Sequence, residues 1–440
     1  QSDAVEVEAI LTKGWCVPRL VQSRLSSRDQ RSSICFASVC ARLDATLRDA
    51  IDRLESRAQI DVAFDMLDQL CYGYVHEALE SLGTNPVIPQ CHHQWLLSWM
   101  RRMPAPADPP PKPEDILSAH PGLWPEIDLV KACGPYLADA LTSTVRYQDL
   151  LFPEGSLELL KPFYRQGVLS TFYNKGIVAA VEAILAQSSS TLDWRVVEIG
   201  AGTGGTATDV LPILKDCCAI YLFTDVSDVF LKRANERFAS AYPFVEYALL
   251  NVNIEPALQG IAPHVYDLLV ATNCLHATPD MISTIHVCRQ LLRPSGLMLI
   301  HEHPCTTPHF QITFGLTDGW WLFTDHIRRE YDSPCMPVGV WRLLLRDAGC
   351  TSFHVSQGDM ELVRSMGIHS ILLAQLEGCP SPGSASFGAV QVITGGLGGL
   401  GVLTARLLVR EGAQSVALVS RSGRVQDGSE RDLNLLRASS

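Results

Sequence analysis

Apolar positions along the chain recur in two different rhythms, and the change between them divides the sequence. Over residues 36–85 they follow a helical period, in FASVCARLDATLRDAIDRLES and again in FDMLDQLCYGYVHEALESLG, where Gly83 is placed to end a helix. PAPADPPPKP at 104–113 interrupts that pattern and predicts an exposed loop. Helical spacing resumes in WPEIDLVKACGPYLADAL and SLELLKPFY, so residues up to 185 predict helices with little strand. From Trp194 short apolar runs take over: RVVEIG, AIYLFTDV, FVEYALL, YDLLVATN and GLMLIHE. Helix-like stretches lie between them, among them GTATDVLPILKD, SDVFLKRANERFASA and MISTIHVCRQLLR. Strand alternating with helix predicts a parallel sheet covered on both faces. GCPSPGSASFG (378–388) has the composition of a linker, and a new strand–helix unit opens at VQVITGGLGGLGVLTARLLVREG.

Composition narrows the class. The chain has 440 residues, 47% of them apolar and 19% charged, which describes a globular protein with more than one core. A net charge of −12 removes the broad basic footprint that nucleic acid requires. No uninterrupted apolar run reaches ~18 residues, so no membrane partner is predicted. The opening, QSDAVEVEAIL, lacks a basic region, an apolar stretch and a cleavage site, and reads as the interior of a longer polypeptide. Fourteen cysteines are scattered without a C-x-x-C pair, which predicts reduced, mostly buried thiols in a cytoplasmic protein. HEHP with Cys305 and His309 has neither H-E-x-x-H nor zinc-finger spacing, so no metal site is predicted.

The densest chemical signal is VVEIGAGTGG at 196–205. Gly200, Ala201, Gly202 and Gly204 follow a strand directly, where an open α/β sheet binds its ligands and bare backbone can approach them. The second strand ends in FTDVS, and Asp225 there stands about 20 residues beyond the loop, a spacing at which an acid accepts from ribose hydroxyls. These two features point to an adenosine-containing cofactor. Glu198 separates the candidates: an acid just before the first glycine repels a pyrophosphate but suits an amino group and a sulfonium. No basic residue in the loop offsets it, so S-adenosylmethionine is the cofactor predicted.

Several motifs in order carry a family resemblance. EIGAGTGGTATDVLP, YLFTDVSDVFLKRA, ATNCLHAT and FGLTDGWWLF, with CGPYLADALTSTVRYQDLLFPEGSLELL and FYRQGVLSTFYN upstream, resemble the C-methyltransferase domain of type I polyketide synthases over roughly residues 60–375. The resemblance implies a class I S-adenosylmethionine methyltransferase, a Rossmann-like α/β sheet with a mainly helical N-terminal lid. It implies His276 of the HAT stretch as general base and Glu302, at the end of the next strand, as the carboxylate that fixes its tautomer and stabilises the imidazolium. It places Tyr164 in the lid over an acyl group, and Tyr173 and Asn174 near the cofactor. The sequence departs from the family at LLNVN: Asn251 stands where an acid is usual, and its amide can accept a hydrogen bond from adenine only without charge assistance. Trp320, Trp321 and Phe323 are read as packing that shapes an acyl channel.

TGGLGGLG (394–401) resembles the nucleotide loop of ketoreductase domains from the same synthases, with Gly399 and Gly401, and Arg421 suits the 2′-phosphate of NADPH. The chain ends before a Ser/Tyr/Lys set, so NADPH would serve only a complete ketoreductase. The domains predicted are linker and lid start (1–58), helical lid (59–185), methyltransferase core (186–377), linker (378–390) and ketoreductase beginning (391–440). The implied substrate is a β-ketoacyl group on the phosphopantetheine arm of an acyl carrier protein, with neighbouring synthase domains as further partners. Two alternatives stand beside it: a catalytically silent spacer of methyltransferase ancestry, which Asn251 mildly favours, and an oxygen- or nitrogen-directed methyltransferase, against which FGLTDGWW speaks.

Overall fold

All five apolar runs from Trp194 onward form strands: β1 (Trp194–Ile199), β2 (Cys218–Asp225), β3 (Val245–Leu249), β4 (Tyr266–Thr272) and β5 (Leu292–Glu302). The structure is a computed structural model that describes residues 34–52, 57–187, 193–356, 369–377, 391–394 and 416–419. Two further strands, β6 (Cys350–Ser356) and β7 (Ser370–Leu376), complete a seven-stranded sheet of order β3-β2-β1-β4-β5-β7-β6. β1 to β5 pair in parallel, whereas β7 runs antiparallel to both β5 and β6. The predicted parallel sheet is thus mixed. The antiparallel part is confined to β7, which enters the sheet between β5 and β6.

Side chains of each strand alternate between two cores. Val196, Leu268, Val270, Leu297 and Leu299 join one cluster with the N-terminal helices. Val197, Ile199, Leu269, Ala271, Met298 and Ile300 join a second cluster with the helices Met281–Leu291 and Val338–Asp347. The helical region therefore shares a core with one face of the sheet. Residues Ile34–Glu377 make one compact unit, and it includes the helix Phe36–Asp52, which packs on the helix Val168–Leu185 and on β6. Val168–Leu185 is long and apolar enough to cross a membrane, yet 61% of it is buried in this unit, where it serves as a core helix.

A second unit takes in the residues before 34 and after 377. Its described part is the parallel pair β8 (Gln391–Thr394) and β9 (Val416–Val419). Gly399, Gly401 and Arg421 lie outside the described residues.

Candidate active site

The loop after β1 is built from three left-handed glycines, with φ of +57° at Gly200, +52° at Gly202 and +72° at Gly204. A Cβ on Gly200 would lie 2.5 Å from that of Cys274, so this position excludes any side chain. Gly204 opens the helix Gly205–Leu214. Asp225, at the end of β2, holds the loop: one carboxylate oxygen accepts from the Gly202 N–H at 3.0 Å and the other from Ser227 at 2.8 Å. The acid expected at a ribose thus first shapes the glycine turn.

Against the loop lies a cavity of about 270 Å³. Glu198, Gly200, Ala201, Gly202, Asn174 and Tyr164 all line it. Asn174 donates to the Tyr164 carbonyl at 3.2 Å, which ties two predicted residues together across the helix break at Gly167. Glu198 is buried beside the Tyr221 hydroxyl, which donates to it at 2.8 Å. Burial pushes its carboxyl up to about 8, against the lowering effect of that hydrogen bond. Burial likewise pushes the Tyr164 phenol well above its ordinary value.

Not every predicted residue reaches the cavity wall. Tyr173 is fully buried and stacks on His301 and His369 with ring centroids 5.1 and 5.2 Å away. Asn251 turns its side-chain oxygen onto the N–H of Asn253 at 3.0 Å, forming a local turn away from the wall. Asp225, Gly204 and His276 are also outside the cavity lining.

His276 and Glu302 meet at the carboxyl ends of β4 and β5. His276 Nδ1 lies 2.8 Å from Glu302 Oε2. An ionised carboxylate only accepts, so Nδ1 carries the hydrogen and Nε2 is left for other chemistry. The second oxygen of Glu302 accepts the N–H groups of Cys274, Leu275 and His276 at 3.1, 2.8 and 3.2 Å. Burial alone would push this carboxyl up, but the imidazole and the backbone donors hold it down at about 2. The His276 side chain is 11% exposed and leans on the Trp320 ring, which stacks in turn on Phe314 of the cavity wall.

Sequence reasoning missed four residues. Thr272 Oγ1, Asn273 Oδ1 and His301 Nδ1 are buried without a hydrogen-bond partner, and all three residues line the cavity. Thr272 and His301 are register partners on β4 and β5, and Asn273 sits at φ +50°, a strained value for a side-chain-bearing residue. Alternation along GLMLIHE could have placed His301 on the opposite face from Glu302. The fourth is Arg328, fully buried, which pairs with Asp325 and donates to the carbonyls of His276 and Thr278 at 2.9 and 2.7 Å. Nothing in the local pattern marks it. Among the described residues no group of three or more His, Cys, Asp or Glu side chains could hold a metal ion.

A glycine turn after β1, an acid ending β2 and this strand order define a class I S-adenosylmethionine methyltransferase fold, here with a helical N-terminal region. Comparison with known proteins makes the class specific. Residues 197–298 match the family model "Methyltransferase domain", and 389–440 match "KR domain". The chain is 39% identical over 224 residues to polyketide synthase ThaG of Burkholderia thailandensis, covering 50% of this chain and 4% of that one. Among solved structures it is similar to the CurJ carbon methyltransferase, with TM-score 0.70 and 24% identity over 77% of this chain and 98% of that one. It is also similar to the trans-methyltransferase CalH in complex with SAH, with TM-score 0.59 and 26% identity over 74% of this chain and 92% of that one. Residues 197–298 thus carry a methyltransferase domain and 389–440 the start of a KR domain, in a chain that is similar to short stretches of polyketide synthases.

Proposed function

We propose that this chain transfers a methyl group from S-adenosylmethionine to the α-carbon of a β-ketoacyl thioester held on an acyl carrier protein. The observation that carries the reading is the His276–Glu302 pair at 2.8 Å, beside a cavity walled by the glycine turn. The cavity suits a cationic cofactor. Glu198 is a buried carboxyl on its wall, and Thr272, Asn273 and His301 offer unpartnered polar atoms that a ligand would satisfy. When bound, S-adenosylmethionine supplies an electrophilic methyl on sulfur. Glu198 and Asn174 would hold its aminoacyl end, and the glycine turn would lie against it.

The chain's own chemistry is removal of a proton. An α-hydrogen between two carbonyls is acidic enough for a positioned imidazole to take it at Nε2. Glu302 keeps the hydrogen on Nδ1 and stabilises the imidazolium that forms. Tyr164, Phe314 and Trp320 present apolar surface that keeps water from the carbanion. Carbon rather than oxygen or nitrogen as acceptor follows from the resemblance of FGLTDGWW to the C-methyltransferase family, since an imidazole base alone would serve a hydroxyl equally well. The same reading places the chain within a cytoplasmic megasynthase, with NADPH used only by the complete ketoreductase whose beginning it carries.

Titrating the chain with S-adenosylmethionine, then following a β-ketoacyl carrier protein by mass spectrometry, tests this. Binding and the gain of one methyl are expected. Binding without methyl transfer to any β-ketoacyl chain length supports the silent-spacer alternative, for which Asn251 is the one favouring residue.

A further inference from the structure

Adjoining the cavity lies a second recess of about 460 Å³ that shares Leu157, Gly202, Thr203 and Phe230 with it. Two helices face each other across this recess. Leu160–Gln166 contributes Lys161 and Arg165, and Asp228–Phe238 contributes Arg233 and Arg237. Each pair is spaced i,i+4, so each helix carries two like charges on one face, an arrangement that destabilises a helix.

The repulsion extends across the gap. Burial and the Arg165 guanidinium both lower the pKa of Arg237. Counter-charges are present but incomplete: Glu158 bonds Lys161 at 2.5 Å, and Asp209 stands 3.9 Å from Arg165. Arg237 lies over the Phe238 ring, 4.8 Å from its centre. Four cations against two carboxylates, in a chain whose net charge is −12, form a local excess opposed to the trend of the molecule. Guanidinium forks match the oxygens of a phosphate, and a concave setting raises the potential such a group meets.

We infer that this recess binds the phosphate of the carrier's phosphopantetheine arm, through Arg165, Arg233 and Arg237. The inference rests on the reading of the substrate as carrier-bound. An anion held there bridges a lid helix carrying Tyr164 to a core helix carrying Phe230, both of which line the catalytic cavity. Phosphate capture and cavity assembly are thereby linked through the same two helices.

Calorimetric titration of the whole chain with 4′-phosphopantetheine, pantetheine and inorganic phosphate tests it. The phosphorylated arm should bind about tenfold more tightly than pantetheine, as charge-assisted hydrogen bonds to one group provide. The double variant Arg233→Gln/Arg237→Gln should erase that difference, and Arg233→Lys/Arg237→Lys should restore part of it, with thermal melts showing all three proteins folded. Equal affinity for the two arms overturns the inference, as does a difference that survives the double variant. Inorganic phosphate binding as tightly as the arm also overturns it, because the recess is then a site for the free ion. A parallel S-adenosylmethionine titration separates the failures: if the cofactor does not bind, the methyltransferase reading falls, while the arm titration still decides the recess.

Discussion

Glu302 grips His276 twice, once at the imidazole Nδ1 and once at the backbone N–H, using a different carboxylate oxygen for each. The carboxylate therefore builds the turn that presents the imidazole as well as orienting the ring. Glu302→Gln puts an NH₂ where an acceptor was, facing either N–H donors or the imidazole. Methyl transfer should fall by about 10²-fold, within the usual range for a positioned acid–base group. Stability should drop by about 2 kcal/mol, as for lost hydrogen bonds to a charged group. His276→Ala should abolish transfer with a much smaller change in melting temperature. Activity assays beside thermal melts of both variants check the contrast.

Arg328 anchors the opposite side of the same turn. Its guanidinium spans Asp325 and the carbonyls of His276 and Thr278, and no part of it meets solvent. Lysine keeps the charge but cannot make the planar fork. Arg328→Lys should lower kcat about tenfold, by displacing the base, while leaving the S-adenosylmethionine dissociation constant unchanged. Arg328→Ala should unfold more easily by about 3 kcal/mol, since it leaves Asp325 buried without its partner. Equal losses of kcat and cofactor affinity in the lysine variant would argue against a positioning role.

The glycines of the turn should separate by what a side chain meets. Gly200→Ala meets Cys274 and should lower the melting temperature sharply. Gly202 has its nearest atom 3.8 Å away, so only the positive φ opposes a side chain there, at about 1–2 kcal/mol. Gly202→Val should fold and lose S-adenosylmethionine, because the branched side chain enters the cavity. Melting curves with and without cofactor distinguish the two.

Glu198 should make cofactor binding depend on pH. Its folded-state pKa is raised to about 8, so in the empty protein at neutral pH the carboxyl mostly holds its proton. A cationic ligand selects the ionised form, hence affinity should rise with pH and level off above about 8. Below that, the slope should approach tenfold per pH unit, with close to one proton released on binding. Titrations in buffers of different ionisation enthalpy measure the release. Glu198→Gln should flatten the dependence, and a flat profile in the unsubstituted protein would remove Glu198 from the cation's surroundings.

Local periodicity reveals β1 to β5 because each is a short buried run between helices with its own end signals. β6 and β7 escape because FHVS and ILLAQL pair antiparallel, outside the strand–helix alternation by which β1 to β5 are recognised. The glycine turn and Glu198 are visible because their chemistry is local to a strand end, whereas the His276–Glu302 pair is visible only through the family resemblance. Tyr173 was expected beside the cofactor from its neighbours in FYN, but one helical step turns Tyr173 into the core while Asn174 reaches the wall. Arg328 is invisible in sequence because its partners Thr278 and His276 lie 50 and 52 residues away. Long-range hydrogen bonds leave no periodic trace.

The central claim is that His276 removes the proton from the carbon that is then methylated. The direct measurement is methyl transfer to a β-ketoacyl carrier protein, followed by mass spectrometry, for the unsubstituted chain and His276→Ala, with S-adenosylmethionine affinity measured on the same samples. A substrate one methyl heavier is expected from the first, none from the second, and equal cofactor affinity in both. A His276→Ala protein that keeps most of the rate would show that another residue is the base.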